Sequence, residues 1–329
     1  DSIISEIGQN LKKADIEIDA KGTLITPGFI DSHTHPIFSG NRSNEFNMRA
    51  SGKSYEEIAK KGGGILSSIS AVRNSSEDQL FEECLNRIGL FIKHGTTTIE
   101  AKSGYGLTLE DEIKSLKVIK KINENSELDI LPTFMGAHAV PPEYKNNQLG
   151  YVKLICEEMI PKIAEEKLAK FCDVFCEEGY FSVEESREIL ETAIQYGLKP
   201  RLHADEFVDS GAAELAAEIR ALSADHLMAV SERGIKKLSR NGVVATLLPG
   251  TTLFLGKQNY ANGKKMIEMG CDIAIASDYN PGSCTIQSMP LIISLSNLYC
   301  GLNSKESFKA ATWGGAKALG IENKVGSLS

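Results

Sequence analysis

The sequence predicts a (β/α)₈ barrel. Three observations carry that prediction: eight short apolar, β-rich runs, a longer amphipathic stretch after each, and glycines where the stretches hand over to the next run. A length of 329 residues suits one such domain.

In chain order, the first run is Ile25 to Asp31. The connection from Pro36 to Asn74 is long for a βα unit, so it is expected to cover the active-site face. The helix Leu80 to His94 places Phe81, Cys84, Leu85, Ile88 and Phe91-Ile92 at helical spacing, giving one buried stripe. Run two is Thr96 to Ala101, with helix Leu109 to Asn125; run three is Asp129 to Gly136, with helix Tyr151 to Lys170. Run four is Asp173 to Cys176, with helix Val183 to Tyr196; run five is Pro200 to Ala204, with helix Ala212 to Arg220. Run six is Ala221 to Asp225, with helix Ser231 to Arg240; run seven is Val243 to Leu248, with helix Lys257 to Met269. Run eight is Asp272 to Ser277, followed by helix Met289 to Leu302. Gly95, Gly197, Gly242 and Gly270 stand where a helix ends and a strand begins, as C′ glycines do. A doubly wound open sheet would want a glycine-rich phosphate loop after an early strand. Gly62-Gly63-Gly64 precedes a helix with no strand before it.

The ends read differently. Ile16, Ile18 and Lys21-Gly22-Thr23 suggest a β-hairpin, and Lys324-Val325-Gly326-Ser327 a turn leading into a strand. Residues 1–26 and 321–329 are therefore assigned to incomplete parts of a small β-sandwich domain built from both termini, around a barrel of 27–320.

Composition narrows the function. A net charge of −8 argues against nucleic acid as the main partner. No apolar run reaches ~18 residues, the length of a membrane span, and residues 1–10 lack the order of a secretory signal. The cysteines, at 84, 156, 172, 176, 271, 284 and 300, are scattered and odd in number, which reads as reduced thiols in a cytoplasmic protein. Cys172 and Cys176 have no second pair to complete a zinc knuckle.

Barrel enzymes collect their catalytic residues at the C-terminal ends of the strands. His33 and His35 end the first run and project to one side; His138 ends the third, His203 the fifth, His226 the sixth and Asp278 the eighth. A single histidine there is most often a structural hydrogen-bonder, and His94, at a helix end, reads as a dipole partner. Five at strand ends, with an acid on the last strand, read as a metal site. Imidazoles with a carboxylate suit Zn²⁺ or Fe²⁺/Fe³⁺ and leave a position open for water, whose pKa such a metal lowers toward ~7.

Pro27-Gly28-Phe29-Ile30-Asp31-Ser32-His33-Thr34-His35 resembles the opening signature of the amidohydrolase superfamily. Lys102-Ser103-Gly104-Tyr105-Gly106, Gly136-Ala137-His138 and His203-Ala204-Asp205-Glu206-Phe207 are similar, in order, to later motifs of one branch of it. So are Ser223-Ala224-Asp225-His226-Leu227 and Ser277-Asp278-Tyr279-Asn280-Pro281-Gly282-Ser283. The resemblance implies one metal held by His33, His35, His203 and Asp278, with Glu206 moving the proton and His226 orienting carbonyl and water. Asp278 would share its charge between metal and water. It also implies hydrolysis of a planar ring amide bearing a short carboxylate arm, and a homodimer. Arg42 would clamp the carboxylate; Tyr55 and Tyr105 would close on carboxylate or ring; His138, Asn280, Gly282 and Ser283 would contact the ring. Ser283 stands where many relatives have Thr, with the hydroxyl kept.

Two-metal members usually bring a carboxylated lysine from the fourth strand. Here that run ends Phe175-Cys176-Glu177-Glu178, which favours a single metal while leaving Glu177 as a formal bridging carboxylate. The rival readings are a cytosine- or guanine-type deaminase with the same ligands and a metal-free scaffold. Arg42 with Tyr105 speaks against the first, because a nucleobase has no carboxylate arm; the retained ligands and Glu206 speak against the second.

Overall fold

The computed structural model describes residues 3–9, 11–53, 57 and 63–328. Eight strands form one parallel sheet in chain order: β1 (Phe29–Asp31), β2 (Thr96–Lys102), β3 (Asp129–Ala137), β4 (Phe171–Cys176), β5 (Lys199–Ala204), β6 (Ser223–His226), β7 (Val244–Leu247) and β8 (Ile273–Ile275). The ring closes between β8 and β1. Thr34 bridges Tyr279 in parallel, Asp278 N donates to His33 O at 3.1 Å, and His35 N donates to Tyr279 O at 2.8 Å. The chain is a (β/α)₈ barrel, with helices outside and an apolar layer between helices and strands.

All eight predicted strands are present, with shifted ends. β1 starts at Phe29 rather than Ile25. Pro27 has no N–H for a ladder, and Gly28 lies so close to β2 that a Cβ there would meet the Thr97 side chain at 2.3 Å. The helix predicted for Tyr151 to Lys170 runs from Gln148 to Glu165 with a widened turn at Ile155–Met159. Pro161 cannot return an N–H to the preceding turn, and the widening absorbs that loss. The helix predicted from Lys257 begins only at Gly263, where the Asn262 side chain accepts from Lys265 N; Pro249–Phe254 is helical instead. Between residues 11 and 28 there is a turn, Thr23 N donating to Ala20 O, and no strand. Ile16, Ile18, Leu24 and Ile25 are exposed there, without the third strand or packed face that a hairpin needs in water.

The barrel interior is polar. Asp31, Glu100, Lys102, Asp173, Arg201 and Asp225 are all fully buried on strands β1, β2, β4, β5 and β6. Asp31 accepts from Ser277 N at 2.9 Å, and burial pushes its carboxyl up to about 7. The folded chain therefore holds a proton that the unfolded chain releases above ~4, so the stability tied to Asp31 falls as pH rises through that window. Asp31→Asn is expected to gain on the parent by up to about 4 kcal/mol between about pH 4 and pH 8, read from denaturant melts of both metal-free chains. A constant difference between the two would refute it.

Candidate metal centre and active site

The strand period of two builds the centre. On β5, Arg201 and His203 face inward together; on β2, so do Glu100 and Lys102. The result is a layer of histidines at the open end above a layer of charges. His33 Nε2 lies 3.3 Å from His35 Nε2, and His203 Nε2 lies 3.4 Å from His35 Nε2. Asp278 Oδ1 lies 3.5 Å from His33 Nε2 and 3.4 Å from His35 Nε2. Those spacings match the edges, about 3.3–3.4 Å, of a tetrahedron of metal–nitrogen bonds.

Electrostatics favour the same occupant. Burial holds the His33 and His35 rings well below the usual histidine range, so they present lone pairs rather than protons. Asp278 is pushed up to about 6 by burial, and its other oxygen accepts from the Thr251 hydroxyl. Two of the four side chains are fixed from behind: His33 Nδ1 lies 2.7 Å from Asp225 Oδ2, and His203 Nδ1 lies 3.0 Å from Asp173 Oδ1. A carboxylate only accepts, so the Nδ1 atoms carry the hydrogens and each Nε2 keeps its lone pair for the centre. The donor set fits a divalent metal.

Around this cluster opens a cavity of about 580 Å³, whose wall includes Arg42, Tyr105, His138, Glu206, His226 and Lys257. Glu206, just beyond β5, is buried; burial, then the nearby Asp278 charge, pushes its carboxyl well above the usual range. Its Oε2 lies 3.7 Å from His226 Nδ1, too long for a hydrogen bond. Both His226 ring nitrogens are buried without a partner, and the residue sits at φ 78°. Asp205 and Asp278 also have positive φ, at 49° and 52°, so strain gathers where the strands deliver their chemistry. The His138 ring stacks on His35 at 5.1 Å and donates from Nδ1 to Gly104 O at 2.9 Å; burial pushes it down to about 3. Tyr105 is buried with its ring 5.1 Å from His138.

Arg42 is held side-on. Its Nε and Nη2 donate to Glu45 Oε2 at 2.9 and 2.6 Å, while Glu45 Oε1 accepts from Gly64 N at 3.0 Å. The end-on pair of N–H groups is thereby left for a carboxylate. A Cβ at position 282 would lie 2.1 Å from Arg42 Nη1, so Gly282 leaves room for that guanidinium. Asn280 and Ser283 line the cavity, but the Asn280 amide is engaged within its own loop. It donates to Asp278 O and Ser283 Oγ and accepts from Gly282 N and Ser283 N. Glu177 accepts from the backbone N–H groups of Phe207 and Glu178, with one carboxylate oxygen for each, and takes no part in the ligand cluster. Tyr55 lies outside the described residues. His94 is exposed at the end of helix Glu77–Lys93, away from the site as expected.

Sequence reasoning missed Asp173, Arg201, Glu45, Thr251 and Lys257, which lies over the Phe207 ring at 3.8 Å. For two of these a signal was present: strands of a parallel sheet read as apolar runs, and Asp173 and Arg201 interrupt theirs with a charge.

Comparison with known proteins agrees with this picture. Residues 24–329 match the amidohydrolase family. The imidazolonepropionase of Brevibacillus brevis is 51% identical over 311 residues, covering 94% of this chain and 73% of that protein. The imidazolonepropionase of Thermoanaerobacter pseudethanolicus is 48% identical, covering 95% and 75%. Among solved structures, a 5-methylcytosine deaminase from Klebsiella pneumoniae superposes with a TM-score of 0.74 at 16% identity, covering 97% of this chain and 81% of that one, a likeness of fold alone. The chain therefore belongs to the amidohydrolase family, and within it to the family of the imidazolonepropionases.

Proposed function

We propose that this chain hydrolyses the ring amide of 4-imidazolone-5-propanoate to N-formimino-L-glutamate, a step of histidine degradation. The carrying observation is that Arg42, its side-on N–H groups held by Glu45, lines the same cavity as the histidine cluster. A small ring with a carboxylate arm meets both at once. Relatives named imidazolonepropionase, 46–51% identical, support the reading; the deaminases share the fold at 16–18% identity.

His33, His35, His203 and Asp278 would hold the metal, Zn²⁺ or Fe²⁺/Fe³⁺. When bound, it supplies Lewis acidity, lowering the pKa of water and polarising the carbonyl. The chain's own residues do the rest. Glu206 takes the proton of the attacking water and delivers it to the departing ring nitrogen. His226, its ring nitrogens unpartnered at the cavity wall, faces the carbonyl oxygen as negative charge grows there. Arg42 binds the arm, and Tyr105 and His138 confine the ring. Asn280, Gly282 and Ser283 contact the ring from a loop that the Asn280 amide ties together. A homodimer and a cytoplasmic location belong to the same reading; the seven buried thiols, none in a disulfide, support a reducing compartment. No helix among the described residues is long and apolar enough to cross a membrane. The small β domain of residues 1–26 and 321–329 is also part of the proposal, supported by the exposed apolar side chains before Thr26.

Turnover of 4-imidazolone-5-propanoate by the metal-loaded chain tests the function; metal-loaded protein that leaves it intact, or releases ammonia from cytosine or guanine, overturns it. Gly282→Ala pushes against a guanidinium that Glu45 pins, and Arg42→Met removes it. Each is expected to raise KM by ~10–100-fold with a smaller change in kcat, the worth of a charge-assisted hydrogen bond. An unchanged KM in both would place the carboxylate elsewhere.

A further inference from the structure

Beneath the four ligands lie two cations that the chemistry above does not use. Lys102 Nζ donates to Asp173 Oδ2 at 2.6 Å and to Glu100 Oε1 at 2.7 Å. The other oxygen of Asp173 accepts from His203, at Nδ1 (3.0 Å) and at the backbone N (3.2 Å). The other oxygen of Glu100 accepts from the backbone N of Thr34, the residue between the two histidines of the first strand, at 3.2 Å. Lys102 thus stands between the carboxylate that aims His203 and the one that fixes the His33–His35 segment. Arg201 makes a parallel connection. Its Nη2 donates to Asp225 Oδ2 at 3.0 Å, the same oxygen that faces His33 Nδ1, and to Ser32 O at 2.7 Å; its Nη1 donates to Ala318 O at 2.6 Å. Both cations and all three carboxylates are completely buried. His35, by contrast, has no partner for its Nδ1.

We propose that Lys102 and Arg201 are positioning residues of the metal centre: Lys102 takes the Asp173 oxygen that His203 does not, Arg201 bonds the same Asp225 oxygen that His33 faces, and so they hold His203 and His33 respectively with Nδ1–H turned inward and Nε2 turned to the metal. The inference rests on the ligand assignment above. With its second oxygen taken by Lys102, the Asp173 carboxylate cannot turn away from His203; Arg201, itself fixed on Ser32 O and Ala318 O, pins the Asp225 oxygen that faces His33, while the other Asp225 oxygen is buried without a partner.

The test uses Zn²⁺ as the probe. Chelator competition is expected to show Zn²⁺ bound ~10–100-fold more weakly by Lys102→Met and by Arg201→Met, the cost typical of losing a partner behind a ligand. In ¹⁵N-histidine spectra of the metal-free chains, Lys102→Met should lose the pure Nδ1–H form at His203 while keeping it at His33, and Arg201→Met should do the reverse. A merely structural role would not sort the two histidines in that way. Folded variants with unchanged Zn²⁺ affinity would overturn the proposal. Where a variant does not fold, the unsubstituted metal-free chain decides: Nδ1–H at both His33 and His203 supports it, and Nε2–H at either overturns it. His203→Ala separates the underlying reading from the inference. Zn²⁺ held at full affinity by that variant means the ligands are elsewhere, whereas loss there but not in Lys102→Met refutes only the role of the cations.

Discussion

Glu206→Gln is expected to lower kcat by ~10²–10⁴-fold while metal content and melting temperature stay at parental values. The carboxyl sits in the cavity wall just past the end of β5, buried, with Asp278 as its largest acidic influence and Lys257 as the opposing charge. Burial and the Asp278 charge keep it protonated to higher pH than an ordinary glutamate, so it can return as an acid the proton it received as a base. Glutamine keeps the shape and loses both functions. The sign of the pH effect follows. The proton-accepting form grows as pH rises through a raised pKa, so the acidic limb of the kcat/KM profile should lie above the normal carboxylate range and vanish in the variant. Steady-state rates across pH, with metal analysis of the same samples, check this. A variant that retains parental kcat would remove Glu206 from the chemistry.

The second large effect concerns Asp278. Asp278→Asn is expected to cut metal affinity by at least ~10²-fold and to bring activity down with it, since losing a group merely behind a ligand already costs ~10–100-fold. Asparagine is the informative choice because the position has φ 52°, a left-handed conformation that Asn tolerates better than Ala. It also keeps an oxygen for the Thr251 hydroxyl. What is lost is the one formal negative charge among the four proposed ligands; His33 and His35, their protonation suppressed by burial, would contribute none. Equilibrium dialysis and metal analysis of the purified variant give the answer. Full metal occupancy at parental affinity would mean that Asp278 is not a ligand.

The barrel and the meeting of His33, His35, His203 and Asp278 were legible because both rest on local regularities. Eight apolar runs with helices between them fix the strand count, and a histidine that ends a strand must stand at the open face. Strand limits were less legible, because packing sets them: β1 waits until Phe29 because Gly28 is pressed against Thr97, which only the folded neighbour reveals. The helix expected from Lys257 fails for a similar reason, as Asn262 supplies the cap and Lys257 itself lies over Phe207 instead. The charges behind the ligands belong to a third kind. Asp173 and Arg201 were visible as interruptions of apolar strands, but their partners lie on other strands, so nothing along the chain pairs Arg201 with Asp225 or Lys102 with Asp173. Glu45 is a milder case. Three residues after Arg42 it reads as a surface helix pair, and only burial turns it into a fixture of the cavity.

The seam between β8 and β1 carries one more consequence. Asp31 and Ser277 meet there across 246 residues of chain, and Asp278 N bonds His33 O beside them. The ligands proposed for one ion, His33 and His35 on one lip and Asp278 on the other, thus straddle the line where the hoop of strands is fastened. An ion bound there acts as the clasp of a bracelet, joining the first strand to the last. The first motion on its removal should then be a parting of this seam, with exchange rising at the amides that cross it, those of His35 and Asp278, while β4 to β6 stay protected.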